Sequence, residues 1–240
     1  MRFTMKANSI LLAIAISISS CVMTAHAHDK TGDAHASASH ATKGHAPGYH
    51  RKFSDAKHWV KVFDDPERDK WQLPEKVIES LKVKANDVVA DIGAGTGYFA
   101  FRIAKAQPLS RVYAADVEQD MLTFLAEEAK RQNCTNVVPF KIKTAKPELP
   151  EKPNLVLIVD TFHHIDNRVQ YFKDLKLSLA ADCRLVIIDF TDKSPVGPPM
   201  DHRIEKDEVI AELKDSGFAL STEQNILPYQ YYLEFRAASK

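Results

Sequence analysis

The stretch Asp87-Val88-Val89-Ala90-Asp91-Ile92-Gly93-Ala94-Gly95-Thr96-Gly97 decides the fold. Its first half is a short, nearly continuous apolar run, the pattern of a strand buried on both faces. Three glycines at alternate positions then end the strand in a tight turn, and from Tyr98 apolar residues recur at helical spacing. The order is strand, glycine turn, helix.

Outward from this unit the chain keeps alternating. Helices are expected over 98–106, 119–131 and 168–179, and strands over 111–116, 136–140, 154–160 and 184–190. Alternating strands and helices build a parallel sheet with helices on both faces. After a helix at 205–216, strands at 218–223 and 231–236 follow one another without a helix between them and so pair antiparallel. The prediction is a doubly wound α/β fold, seven-stranded and mostly parallel, with one antiparallel edge strand. N-terminal helices precede it. The segment 53–63 has apolar residues at helical spacing, Asp64-Asp65-Pro66-Glu67-Arg68 starts a second helix with Pro near its first turn, and Pro74 opens a third over 75–81. The first two suit a lid over a cleft.

At 240 residues, with 45% apolar side chains, the chain has enough material for one domain with a substantial core plus appended segments. Lys plus Arg balances Asp plus Glu at 32 each, so the overall positive field that non-specific nucleic-acid binding requires is missing, and nucleic acid drops from the substrate classes. Residues 1–27 have the anatomy of a secretory signal: Arg2 and Lys6, then an uncharged apolar run from Ile10 to Ile18 too short to span a bilayer, then small residues. Two processing sites compete. Ala25-His26-Ala27 fits signal peptidase and gives a soluble periplasmic or exported protein, whereas Ile18-Ser19-Ser20-Cys21 fits a lipobox and gives a lipoprotein attached to a membrane through Cys21. Residues 28–52 are rich in His, Ala, Ser, Gly and Lys and lack the apolar residues needed to offset folding entropy, so they read as a disordered linker. Its His28, His35, His40, His45 and His50 match no structural zinc spacing, and a loose divalent metal is the only metal such a tract would hold. The folded domain is then 53–240, and its Cys134 and Cys183 are too few for a disulfide scaffold.

A glycine turn after the first strand of a doubly wound sheet is where such folds bind nucleotides, because missing side chains let backbone amides approach the ligand. Here the spacing Gly93-x-Gly95-x-Gly97 departs from the dinucleotide pattern, Asp91 lies two positions ahead, and Asp116 at the end of the next strand suits two ribose hydroxyls. Val88 to Tyr98 resembles motif I of the class I S-adenosylmethionine-dependent methyltransferases. Asp116 resembles their acidic residue at the end of strand two. Leu155-Val156-Leu157-Ile158-Val159-Asp160-Thr161-Phe162-His163-His164-Ile165 resembles their strand-four motif, and Arg184 to Phe190 their strand five. Within the superfamily the chain is similar to small-molecule methyltransferases of the quinone-biosynthesis type, with a His-His-Ile turn and a Leu-Pro-Tyr-Gln-Tyr segment at Leu227 to Tyr231.

The resemblance implies S-adenosyl-L-methionine as cofactor, held by Asp91, Gly93, Ala94, Gly95, Gly97, Asp116 and Val117, with Asp91 orienting the turn and Asp116 holding the ribose. It implies a small-molecule or lipid-like acceptor. Two departures stand out. The acid often found after strand three is replaced by Lys141-Ile142-Lys143-Thr144-Ala145, and the glycine turn before strand five by Ala180-Ala181-Asp182-Cys183. For catalysis, in-line methyl transfer depends on positioning, and a base is needed only where the acceptor must lose a proton. His163 and His164, at the C-terminal end of a central strand, are the candidates for it, and Asp160 lies beside donor or acceptor. Asp166 reads as the N-cap of the next helix. Trp59, Phe63, Trp71, Tyr229, Tyr231 and Tyr232 suit either an apolar acceptor pocket or the core, and the loop of Pro195 to Pro199 with His202 and Arg203 suits the acceptor's border. Two other readings remain at this level: a non-catalytic exported nucleoside- or metal-binding protein on the same fold, and a nicotinamide-dependent oxidoreductase, which the glycine spacing disfavours.

Overall fold

A computed structural model describes residues 53–238. The signal segment, Cys21 and the histidine-rich linker with its metal reading lie outside the described residues. Three helices come first, α1 (Ala56–Phe63), α2 (Glu67–Gln72) and α3 (Pro74–Leu81), followed by β1 (Val88–Ile92), α4 (Tyr98–Ala106), β2 (Arg111–Asp116), α5 (Gln119–Arg131) and β3 (Val137–Lys141). The second half holds β4 (Leu155–Val159), α6 (Arg168–Leu177), β5 (Arg184–Phe190), α7 (Lys206–Asp215), β6 (Phe218–Gln224) and β7 (Gln230–Ala237), with short 3-10 turns at Phe162–His164 and Met200–His202.

The strands form one sheet in the order β3-β2-β1-β4-β5-β7-β6. The chain winds from β1 outward to β3, then crosses to β4 on the other side of β1, so the crevice at the C-terminal ends of β1 and β4 is the switch point at which such sheets bind ligands. β1 to β5 pair parallel, and β7 runs antiparallel to both β5 and β6. Antiparallel pairing is thus confined to one edge of the sheet as expected, with the reversed strand one place in from the rim.

Alternate strand residues face opposite layers. Val89, Val112, Leu157 and Val186 pack with α3, α4 and α5, whereas Ala90, Val156, Ile158 and Ile187 pack with α6 and α7. β4 is buried along its whole length, which is why it reads as an uninterrupted apolar run. The outer strands β3 and β6 are partly exposed, and β3 tolerates Pro139 because a rim strand needs fewer donors. Cys134 and Cys183 are buried on opposite layers, and burial pushes the Cys183 thiol up to about 12.

Two local expectations change. α1 starts at Ala56 because Asp55 caps it, accepting from the His58 amide, and α2 starts at Glu67 because Asp64 closes α1. The N-cap position of α6 is Asn167, not Asp166: Asn167 takes a left-handed φ of 45° that turns the chain into the helix, with no side-chain cap. The turn Ala180 to Cys183 needs no glycine, since the Cys183 amide donates to the Ala180 carbonyl without a left-handed residue.

Candidate functional site

The glycine turn after β1 is specified by backbone geometry. Gly93, Gly95 and Gly97 have φ of +77°, +54° and +86°, a region side chains disfavour. A Cβ on Gly93 would fall 2.3 Å from Thr161 Oγ1, and one on Gly97 would fall 2.5 Å from the Phe101 ring, so both glycines allow close approach of neighbouring elements. Gly95 differs: the atoms facing it belong to the Phe63 ring, 3.4 Å from where a Cβ would stand.

The expectation that this loop aims its amides at a ligand is corrected. Gly93 and Ala94 both donate to the Ala115 carbonyl, Gly97 donates to that of Ala94, and Gly95 donates to Asp116 Oδ2 at 2.9 Å. Unpaired amides are costly in a partly buried loop; β2 satisfies those of Gly93, Ala94 and Gly95, and the loop's own Ala94 carbonyl that of Gly97. The loop offers a smooth glycine surface instead of a donor array.

Asp91 lies at the end of β1, buried, and accepts from the Ala100 amide in the first turn of α4; burial raises its pKa to about 7. It therefore ties the strand to the helix and fixes the turn between them. Asp116 is also buried, its carboxyl raised by burial although the amides of Glu118, Gly95 and Val117 oppose the rise. Its carboxylate faces the loop. Beside it Val117 is 44% exposed, an apolar surface at the mouth. After β3, Ile142 is buried, and its amide donates to the Asp116 carbonyl.

Across the switch point, β4 ends in Asp160, a non-glycine residue with φ of +53°. Burial raises the Asp160 carboxyl to about 7, against the pull of Arg68. Arg68 Nη2 donates to Asp160 Oδ2 at 3.0 Å, and Gln230 Nε2 donates to Asp160 Oδ1. The next turn separates the two histidines. His163 is buried, with Nδ1 2.9 Å from both carboxylate oxygens of Asp189 at the end of β5, and its amide donates to the same carboxylate. Burial opposes the imidazolium, but the charge and hydrogen bond of Asp189, aided by Asp160, hold the His163 pKa above its ordinary value. His164 is half-buried, its ring against His163 and 5.4 Å from that of Phe53.

Sequence reading missed Asp189. The available signal was a lone acid near the end of the apolar run Leu185-Val186-Ile187-Ile188, and only the β4–β5 pairing places it on His163. It also missed Arg68, Gln72 and Gln230, which no local pattern marks. Of the aromatic candidates, Tyr231 and Tyr232 belong to the two core layers, Trp71 lies against Phe190, and Phe63 lies over Gly95 with Trp59 stacked on it. Arg203 donates to the carbonyls of Thr191, Asp192, Ser194, Val196 and Pro198 and so makes the proline loop rigid.

The residues fit an adenosine-type ligand: a carboxylate with lone pairs for vicinal hydroxyls, an adjoining apolar surface, and a glycine face open to anything that replaces a phenyl ring. Comparison with known proteins agrees. A family model described as a methyltransferase domain matches residues 90–185. The chain is 26% identical over 109 residues to an (S)-coclaurine N-methyltransferase of Thalictrum flavum subsp. glaucum, covering 45% of this chain and 30% of that protein. It is 29% identical over 92 residues to a tRNA(Phe) (4-demethylwyosine(37)-C(7)) aminocarboxypropyltransferase of Methanocaldococcus jannaschii, covering 37% of each. The matches thus span about a third of these relatives' length. A solved SAM-dependent methyltransferase from Aquifex aeolicus superposes with a TM-score of 0.71 at 26% identity, covering 78% of this chain and all of that one.

Proposed function

We propose that the chain is a class I S-adenosylmethionine-dependent methyltransferase, with that nucleoside as its cofactor, and that it transfers a methyl group to a small-molecule acceptor bound at the C-terminal ends of β4 and β5; the matching methyltransferase domain model and the Aquifex aeolicus fold support this reading. The cofactor supplies an electrophilic methyl on sulfur. Asp116 would hold its ribose, Val117 and Ala94 would border it, and the surface of Gly93 and Gly95 would receive its amino-acid part, while Asp91 keeps the turn in place through Ala100.

The observation that carries the acceptor side is the buried pairing of His163 with Asp189. A histidine whose Nδ1 donates to a carboxylate keeps its lone pair on Nε2, the atom able to take a proton from an acceptor hydroxyl or protonated amine. Asp189 then stabilises the imidazolium that results. His164 lies nearer the mouth and closes it against Phe53. A lipid-like acceptor is compatible with the aromatic surroundings of this mouth. For the second reading, a binder without catalysis, no specific feature speaks.

The test is twofold. Titration calorimetry of the full chain with S-adenosylhomocysteine should show one site, and Asp116→Ala should lose it; absence of any binding to the wild-type chain overturns the reading. With an acceptor in hand, His163→Gln should lower kcat by about 100-fold or more, the usual worth of a general base. His164→Gln should act mainly on KM. The reverse pattern would transfer the role to His164.

We further propose, from residues 1–27 alone, that the protein works outside the cytoplasm. Mass measurement of the mature N-terminus from fractionated cells distinguishes a start at His28 from an acylated Cys21, and a retained Met1 in a cytoplasmic fraction refutes export.

A further inference from the structure

We propose that Tyr231 is a positioning residue for the His163–Asp189 pair: one buried water joins its hydroxyl to the Asp189 carboxylate, and the phenol thereby helps set how firmly His163 holds a proton. As a statement about the base it rests on the methyltransferase reading above; the contact itself does not.

The carrying observation is a polar atom left over. The Tyr231 hydroxyl is buried and meets no hydrogen-bond partner among the described residues. An unsatisfied buried hydroxyl destabilises a fold, and native structures leave few. The Tyr232 hydroxyl and Gln132 Oε1 share this condition, but neither faces the pair. Tyr232 belongs to the opposite layer, where the charges acting on it are those of Glu234 and Arg184, and Gln132 lies at the C-terminal end of α5.

Tyr231 sits directly opposite Asp189 in the antiparallel pairing of β5 with β7. Both side chains leave the sheet on the α6–α7 side, as Ile187 and Leu233 do two positions along. On one face of such a pair, opposite Cβ atoms are about 4.5–5.5 Å apart. The phenol is the longer side chain, so its hydroxyl stands past the carboxylate, out of direct reach and within the span of a single water. Among the charges that act on Tyr231, Asp189 comes first, followed by Arg168, Glu205 and Asp160. Burial and Asp189 together keep the phenol protonated, so its hydroxyl has a hydrogen to donate.

Asp189 has room for one more donor. An ionised carboxylate offers about four lone-pair sites. The Phe190 amide donates to Oδ1, the His163 amide to Oδ2, and His163 Nδ1, 2.9 Å from both oxygens, supplies one N–H between them. The remaining site is the place for the water, and the hydroxyl gives that water the second polar partner a buried site requires.

The effect on His163 has a definite sign. Each donor on Asp189 spreads the charge of the carboxylate and so weakens its hold on an imidazolium. The other groups facing His163, namely Asp160 at the tip of β4, Arg168 on α6 and the His164 ring beside it, all remain when Tyr231 loses its hydroxyl.

The experiment follows the His163 imidazole by NMR in the full chain, its signal assigned by its loss in His163→Gln. In Tyr231→Phe the titration midpoint should move to higher pH, whereas Tyr232→Phe, on the other layer, should leave it in place. Thermal melts at alkaline pH, with His163 neutral in both proteins, should show Tyr231→Phe lower in Tm by about 2–4 °C, the loss of one hydrogen bond in a domain of this size. An unmoved midpoint, an equal movement in both phenylalanine variants, or a Tyr231→Phe protein as stable as the wild type overturns the proposal. Should that variant fail to fold, wild-type crystals decide: a water within about 3.2 Å of both Tyr231 Oη and an Asp189 oxygen supports the link, and no water there overturns it. None of these measurements uses the cofactor. A shifted midpoint in a chain that binds no S-adenosylhomocysteine would keep the Tyr231 contact and sink only the methyltransferase reading.

Discussion

Replacing Asp189 by asparagine removes a charge while keeping shape, and its cost must depend on pH. Both carboxylate oxygens lie 2.9 Å from His163 Nδ1, and His163 and Asp189 are only 5% and 2% exposed. Solvent screens such a pair little. Burial opposes the imidazolium, yet Asp189 and Asp160 hold the His163 pKa above 6.5. A histidine with a raised folded pKa contributes stability that is fully present below its unfolded pKa and is lost as pH rises through the folded one. Asparagine leaves burial opposed by Asp160 alone, so the variant must either bury an imidazolium without its carboxylate or release the proton. A charge-assisted hydrogen bond is worth about 1.5–3 kcal/mol, so near pH 6 the variant should lose about 2 kcal/mol. For a domain of this size that lowers Tm by roughly 4–8 °C. At alkaline pH, once the raised folded value of His163 has been passed, both proteins hold neutral histidine, the asparagine carbonyl still accepts from Nδ1, and the loss should shrink to about 1 kcal/mol or less. Urea and thermal melts at both pH values measure the difference. Equal losses at the two would mean that His163 is never charged in the folded protein, and the ionic account of the pair would be wrong.

Other outcomes follow from the same geometry. Gly93→Ala forces a side chain into a left-handed residue against Thr161 and should cost about 2–4 kcal/mol in urea denaturation, by strain together with overpacking; a loss below about 0.5 kcal/mol would show that the turn relaxes freely. Asp116→Asn keeps an acceptor for the Gly95 amide, so the fold should survive while affinity for S-adenosylhomocysteine falls about tenfold or more with the lost charge-assisted bonds; unchanged affinity would remove Asp116 from the cofactor site. Asp160 has its carboxyl raised to about 7, so it binds its proton more tightly folded than unfolded and should make stability fall as pH rises from the ordinary carboxylate range to about 7. Asp160→Asn should flatten that fall in a pH series of melts, and an unaltered slope would show that Arg68 already compensates the charge.

Much of the architecture was legible because it is written in local periodicity. The buried run of β1, the helical spacing after Gly97 and the succession of strands and helices each follow from backbone geometry acting within a few residues, and the helices at Tyr98–Ala106 and Gln119–Arg131 fall where spacing alone puts them. The alternate glycines announced left-handed backbone, since few other residues adopt it cheaply. Their physical use was less legible: the amides of Gly93, Ala94 and Gly95 turn toward β2, and Gly93 and Gly97 serve close packing against Thr161 and Phe101, a matter of what lies opposite them in space.

By itself, then, the sequence determined the order and type of the elements, the switch point and the identity of the acids at the ends of β1 and β2, because each depends on hydrophobic period and turn chemistry along the chain. Tertiary structure alone decided which histidine meets a carboxylate, what Asp160 binds and what rests on Gly95. Those pairings join residues 26, 92 and 70 positions apart in the cases of His163 with Asp189, Arg68 with Asp160, and Gln230 with Asp160. No periodicity reaches that far; the sheet order brings such residues together, and burial then makes each charge depend on its partner.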